Sequence, residues 1–223
     1  MKTEIGQDLK RIHDRLCCPK CRGDLAVTDE CLVCADCHQR YPIADNIPLC
    51  FWPNEWASSK KDVTEIVREF YEETPFPNYD DFDDAGSLMQ KARQGIFARL
   101  LDDQIPFGAR ILECGCGTGQ LSNFLSIANR TVVGTDICLN SLRLGQAFKE
   151  HNHLNRIHFF QMNLFRPIFK PETFDVVICN GVLHHTADPF LGYQSIARLV
   201  KPKGYILIGL YHTYGRLSND VRR

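Results

Sequence analysis

Residues 111–119 read Ile-Leu-Glu-Cys-Gly-Cys-Gly-Thr-Gly, which sets glycines at 115, 117 and 119 just behind an acid, Glu113. Glycine serves where backbone must turn with positive φ or meet a ligand with no Cβ in the way. A strand that feeds such a loop and then a helix seats an adenine nucleotide or nucleoside in open α/β sheets. Dinucleotide binding asks for G-x-G-x-x-G; here the third glycine comes one residue early, which disfavours a nicotinamide oxidoreductase. A second acid, Asp136, ends the run Val132-Val133-Gly134-Thr135, 17 residues past Gly119. A carboxylate at that point either takes both ribose hydroxyls or caps the helix that follows. Further on, Asn180-Gly181-Val-Leu-His184-His185 brings two imidazoles behind another apolar run. They could accept a proton near neutral pH, or only shape a pocket.

A different chemistry occupies the front. Cys18-Pro-Lys-Cys21 and Cys34-Ala-Asp-Cys37 are two C-x-x-C pairs with twelve residues between them. Each pair forms a knuckle that aims two thiolates at one point, and two knuckles complete a tetrahedral shell around Zn²⁺. Cys31-x-x-Cys34 has knuckle spacing too, so Cys31 competes with Cys37 for the shell, and Cys17 with Cys18. Leu25–Thr28 and Cys31–Val33 read as a hairpin around Thr28-Asp29-Glu30, which favours Cys34 and Cys37. His38 reads as a surface residue. Four thiolates leave no open coordination position, so the metal is structural. A module of ~40 residues needs such a staple to fold.

These residues need elements to position them. Strands are expected at 110–114, 131–136, 157–161, 174–180 and 204–210, and helices at 119–128, 139–150 and 189–200. Short apolar runs alternating with amphipathic stretches give an α/β, Rossmann-like, doubly wound parallel sheet. Ligands then lie beyond the carboxyl ends of the strands, where the glycine loop, Asp136, Asn163 and Asn180 fall. Between front and back, Val63, Ile66, Val67 and Phe70 have helical spacing, and Thr74-Pro-Phe-Pro-Asn-Tyr79 cannot be regular helix. An acidic run at 80–84 precedes a second helix near 87–104, with Leu88, Ala92, Ile96 and Leu100 on one face. Tyr71, Phe76 and Tyr79 either lid the pocket or pack down the connector; Trp52 and Trp56 read as inter-domain packing. Three segments result: 1–53, 54–105 and 106–223.

Composition agrees with this plan. The 223 residues are 44% hydrophobic and 24% charged, as in globular domains. No apolar run approaches the ~20 residues that cross a bilayer. The first residues show no signal core, so a cytoplasmic location is expected, with eleven reduced cysteines. Net charge is −1, yet residues 62–84 carry one basic and nine acidic side chains, whereas 85–223 carry sixteen basic and nine acidic. Either the acidic segment neutralises the basic core, or the core keeps an anion-seeking surface.

The glycine loop behind Glu113 resembles motif I of the class I S-adenosylmethionine methyltransferases. Phe174 to Pro189 resembles motif IV and its loop in the type 11, small-molecule branch, and Lys201-Pro-Lys-Gly204 fits the same group as a turn. Cys-Pro-Lys-Cys-Arg-Gly-Asp-Leu and Cys-His-Gln-Arg-Tyr-Pro-Ile-Ala-Asp-Asn-Ile-Pro-Leu resemble the Trm112-type zinc ribbon over roughly residues 10–50. The resemblance implies S-adenosylmethionine held by Glu113, Gly115, Cys116, Gly117, Gly119, Asp136, Ile137, Met162, Asn163, Leu164, Asn180 and Gly181. Asn163 stands where such enzymes often carry an Asp for the adenine amine. His184 and His185 are the candidate bases. The acceptor expected first is a small or lipid-like molecule; rRNA or tRNA comes second, and a non-catalytic binding module third. Such folds have seven strands, and this chain stops after the fifth. It is therefore expected to be a fragment, poorly soluble alone, or to have that edge covered by another chain or by its own N-terminal segment.

Overall fold

The computed structural model describes residues 12–28, 30–56, 63–77, 79 and 84–212. Asp29 of the hairpin turn, the acidic run 80–83 and the tail beyond 212 lie outside the described residues. Four short antiparallel strands form the front: β1 (Leu25–Val27), β2 (Cys31–Cys34), β3 (Arg40–Ala44) and β4 (Ile47–Pro48), in that order. Asp45 and Asn46 make the tight β3–β4 turn with positive φ, which Asn and Asp tolerate. Helices α1 (Thr64–Glu73), α2 (Ala85–Gln94) and α3 (Ile96–Gln104) follow. The back alternates β5 (Arg110–Cys114), α4 (Gln120–Ile127), β6 (Thr131–Asp136), α5 (Leu139–His151), β7 (Ile157–Gln161), β8 (Phe174–Asn180), α6 (Pro189–Ala197) and β9 (Val200–Gly209). Its five strands are all parallel, in the order β7-β6-β5-β8-β9. The order reverses between β5 and β8, so a crevice opens at the carboxyl ends there.

Two elements differ from expectation. One helix over 87–104 is two helices, because Gly95 is extended (φ −80°, ψ 130°) and its N–H folds back onto the carbonyls of Lys91 and Ala92. A residue without Cβ leaves the helix cheaply. The break turns α3, so Leu88 is buried while Ile96 and Leu100 are exposed; Leu101 and Ile105 carry the core contact instead. The turn Lys201–Gly204 lies inside the last strand, which starts at Val200. Pairing jumps from Phe174↔Val200 to Val176↔Tyr205, and the residues between bulge outward. Lys201 Nζ holds the bulge at 2.7 Å from Asp175 Oδ1, whose other oxygen accepts the Arg110 N–H. The carboxyl of Asp175 sits below its ordinary value: Lys201 and the Arg110 amide outweigh the desolvation that opposes them.

Among the described residues the front does not cover β9. Cys50 N–H bonds to the Gln161 carbonyl and Leu49 bridges Gln161 in parallel, so the cysteine module sits at the opposite edge, beside β7. Among the described residues no strand pairs with the outer side of β9. Front and back share one core. Leu16, Leu25, Leu32 and Tyr41 pack in the same cluster as Phe160, Phe169, Phe174 and Val177. On the other sheet face Leu88, Leu101 and Ile105 join Ile111, Val132 and Ile157.

Arg130, 1% exposed, fastens α3 to the sheet. Its guanidinium meets Asp102 Oδ1 at 2.7 Å and donates to the Asp102 and Ile105 carbonyls, satisfying acceptors that the helix end leaves open. Removing Arg130 leaves the partly buried Asp102 only Arg93, 4.0 Å away, and strands those carbonyls. Arg130→Met is therefore expected to lower stability by about 3 kcal/mol in urea denaturation. Loss of under 0.5 kcal/mol would contradict the anchor.

Candidate functional site

A cleft of about 570 Å³ opens at the carboxyl ends of β5, β6, β7 and β8. Glu113, Gly115, Cys116, Gly117, Asp136, Ile137, Met162, Asn163, Leu164, Asn180 and Gly181 all line it. His185 lines it as well; His184 does not, and packs 4.1 Å from the His185 ring and 4.0 Å from Tyr211. Gly119 is also outside the lining. It turns at φ +72° into α4, and a Cβ there would run into the Phe159 ring, so its lack of side chain serves sheet packing. Gly117, at φ +54°, is different: a Cβ would strike the carbonyl oxygen of Phe76, which lies across the loop.

The loop's amides are used internally. Gly115 and Cys116 donate to the Thr135 carbonyl, and Gly117 donates to Asp136 Oδ2 at 2.8 Å. Asp136 Oδ1 accepts from Cys138 N–H at 2.9 Å. The carboxylate thus fastens the loop and the turn into α5, and faces the cleft while doing so. Burial raises its pKa despite these donors, and Glu72 adds to the rise. Glu113, fully buried, is pushed up to about 7 by desolvation, against the hydrogen bond from Ser122; Asp136 pushes it further. Neither acid has an ion-pair partner among the described residues. A cleft with two carboxyls that hydrogen bonds hold but no cation meets among the described residues, beside bare glycine, fits a cationic nucleoside. S-adenosylmethionine carries both a sulfonium and an ammonium, and the residues present fit it.

Asn163 lines the cleft and also ties it to the connector. It is 1% exposed, its Nδ2 donates to Trp52 O at 2.9 Å and Asn54 Oδ1 at 2.8 Å, and its Oδ1 accepts from Phe165 N. The amide ties the chain leaving the cysteine module to the cleft floor. An Asp could not donate to both.

The connector roofs the cleft. Thr64, Val67 and Tyr71 of α1, then Phe76 and Pro77, line it, as do Lys91 of α2 and Phe97 of α3. Tyr79 instead stacks on Phe148 at 4.7 Å, donates to Thr118 O and accepts from Asn123, so it packs the connector down. Glu72 was not singled out by sequence. Its carboxylate accepts the N–H groups of Leu139 (2.8 Å) and Asn140 (3.0 Å) at the start of α5. An acid there answers the helix's open donors and its positive end, and it locks α1 over the mouth. The only sequence signal was the acidic bias of its segment.

At the front, the Sγ atoms of Cys18, Cys21, Cys34 and Cys37 lie within 4.8 Å of one another. Cys31 stays in β2, where Arg40 Nη2 reaches its sulfur at 3.2 Å. His38 is exposed. The four soft donors fit Zn²⁺ in a closed structural shell.

Residues 112–208 match the family model described as methyltransferase domain, and residues 10–46 the one described as Trm112p-like protein. Over those residues the back of the chain is similar to methyltransferase domains and the front to Trm112-like proteins. An uncharacterised protein of Synechococcus sp. is 30% identical over 72% of this chain and 40% of its own length. A ubiquinone biosynthesis O-methyltransferase of Haemophilus ducreyi is 34% identical over 46% of this chain and 45% of its own. The chain therefore spans under half the length of these relatives. Among solved structures, a Pyrococcus horikoshii protein superposes with TM-score 0.53 at 23% identity over 68% of this chain and 65% of that one. The cyclase SpnF does so with TM-score 0.53 at 16% identity over 65% and 59%. These two show the fold alone. Among the described residues no helix is long and apolar enough to cross a membrane.

Two outcomes follow. Purified chain should carry one zinc by elemental analysis, and Cys34→Ser should lose it. Because the module shares the domain's core, metal loss should lower the melting temperature of the whole chain in one transition; an unchanged sheet transition would contradict the shared core. For Glu113, the unfolded chain ionises near 4.5 and the folded one near 7. Folding takes up a proton between these values, so stability falls as pH rises through them, and the cost is complete above about 7. Glu113→Gln should then be the more stable protein by roughly 2 kcal/mol at about pH 8, with the gap closing toward pH 5. Melting curves at both values check this; a variant less stable at the higher pH would contradict it.

Proposed function

We propose that the chain uses its cleft to methylate a hydroxyl of a small or lipid-like acceptor, with S-adenosylmethionine as donor. The observation that carries this reading is the pair of buried carboxyls, Glu113 and Asp136, beside the side-chain-free loop at Gly115 and Gly117. When bound, S-adenosylmethionine supplies a methyl group already activated on sulfur, open to in-line displacement. Glu113 would hold the donor's positive end and Asp136 its ribose. Gly115 and Gly117 leave room for it, while Met162 and Leu164 flank the base. Phe76, Pro77 and Tyr71 exclude water from the transfer.

The acceptor enters on the side of Asn180, Gly181 and His185. His185 would take the acceptor's hydroxyl proton as the oxygen becomes methylated, the sulfonium's sulfur being the leaving group. His184, off the lining, positions the His185 ring and Tyr211. Apolar lining at Phe97, Leu164, Phe165 and Leu210 suits a greasy acceptor. The Haemophilus relative, by name an O-methyltransferase of ubiquinone biosynthesis, supports oxygen as the atom methylated.

The test is transfer of labelled methyl into a metabolite extract and, separately, into total RNA. Label is expected in the organic-soluble fraction. His185→Gln should cut its incorporation about 100-fold, and His184→Gln should cost only a few-fold, with donor affinity unchanged in both. Label confined to RNA, or equal activity in both variants, would contradict the assignment.

A further inference from the structure

The first knuckle carries more than ligands. Pro19 and Lys20 run between Cys18 and Cys21, Arg22 follows, and all three line a second cavity of about 310 Å³ at the seam between the cysteine module and the back domain. Arg166, beyond β7, and Arg198, at the end of α6, close it from the other side. Trp56 and Phe165 supply an aromatic wall, ring edge to ring face at 5.0 Å.

The charges there do not balance. Four cations face one acid, Glu55, whose largely exposed carboxylate stands 3.7 Å from Arg166. Such a pair neutralises little. The Arg22 guanidinium is fixed by the carbonyls of Pro167 and Phe169, with Nη2 at 2.8 Å from the latter. Carbonyls orient it but leave its charge whole. Arg198 spends Nε on the Ser195 carbonyl at 3.0 Å, and its terminal nitrogens make no hydrogen bond among the described residues. Lys20 lies over the Trp52 ring at 5.2 Å, with no ion pair to a described residue. Lys20, Arg22 and Arg198 are exposed at the cavity rim, and partial desolvation, then the charge of Arg22, hold Arg198 below the usual arginine value. The two guanidiniums therefore repel across the cavity, and an anion between them relieves that repulsion.

We propose that this seam cavity binds a phosphate group, with Arg198 and Lys20 as donors and Arg22 as the fixed charge. Guanidinium forks match phosphate oxygens in pairs, and an ammonium adds a point charge. A phosphate answers three cations better than a carboxylate does, because it brings more charge and more acceptors. The aromatic wall offers a face to a ring or base attached to it. Phe165 lines both this cavity and the larger cleft, so a ligand anchored here by phosphate extends toward the site of methyl transfer. That last step rests on the function proposed above; the binding does not. The phosphate is either that of a small phosphorylated molecule or that of a nucleic-acid backbone. In both cases the metal-stapled knuckle would act as one wall of a binding site.

The experiment is calorimetric titration of the full chain with inorganic pyrophosphate at fixed ionic strength, with and without S-adenosylhomocysteine. Saturable binding at one site is expected in both conditions. The double variant Lys20→Ala/Arg198→Gln should weaken it by about tenfold or more. Lys203→Ala, exposed on the β9 bulge, should leave it unchanged, and melting curves confirm that each variant is folded. Absent binding, equal binding by a folded double variant, or loss of binding when S-adenosylhomocysteine is added would each overturn the proposal. If S-adenosylhomocysteine fails to bind while pyrophosphate binds, the methyltransferase reading fails and the seam site stands. A short single-stranded RNA that binds more tightly than pyrophosphate, with steep salt dependence and the same loss in the double variant, identifies a backbone as the source. Weaker RNA binding identifies a small phosphorylated molecule.

Discussion

Glu113 and Asp136 leave neighbouring parallel strands and enter the same cleft, and neither meets a cation in an ion pair among the described residues. Burying carboxyls in this way is costly unless donors or a positive ligand compensate. Much of the surrounding structure supplies the donors. Ser122 reaches back from α4 to Glu113, the Gly117 and Cys138 amides hold Asp136, and Glu72 caps the next helix over the same spot. What remains uncompensated is negative potential, aimed at the place where a sulfonium would lie. The site is thus arranged for charge before any ligand arrives, as preorganised sites are.

The cysteine module belongs to this arrangement. It is joined to the sheet by a common core, by main-chain pairing of Leu49 and Cys50 with Gln161, and by Asn163, which grips Trp52 and Asn54. Asn163 is also a wall of the cleft. A structural metal at the front therefore steadies the floor of the site through one buried amide. The connector closes the other side, with Arg130 holding α3 and Glu72 holding α1.

Sequence patterning reveals the strands of the back half well, because a parallel sheet covered on both faces makes each strand a short apolar run between glycines and polar caps. Four of the five expected strands, β5 to β8, have the bounds read from the chain, and the four cysteines that cluster follow from spacing together with the hairpin that keeps Cys31 in a strand. The errors lie where tertiary contacts outrank local pattern. Gly95 breaks what periodicity joins, since the chain must turn to bring Leu101 rather than Leu100 inward. Lys201–Gly204 reads as a turn and is a bulge held by Asp175. Gly119 and Asn163 carry, besides their motif positions, contacts no motif announces: Phe159 packs where a Gly119 side chain would be, and Asn163 holds the connector. Glu72 was hidden, because one acid among many gives no sign of which helix end it will meet.

The central claim is that two buried acids await a positively charged nucleoside. Calorimetric titration of S-adenosylmethionine at about pH 6 and about pH 8 tests it most directly, since ionisation of Glu113 between them strengthens the attraction. The account predicts saturable one-to-one binding, several-fold tighter at the higher pH, with that difference gone in Glu113→Gln. An affinity that does not change with pH in the unaltered protein, or no saturable binding at either pH, would contradict it.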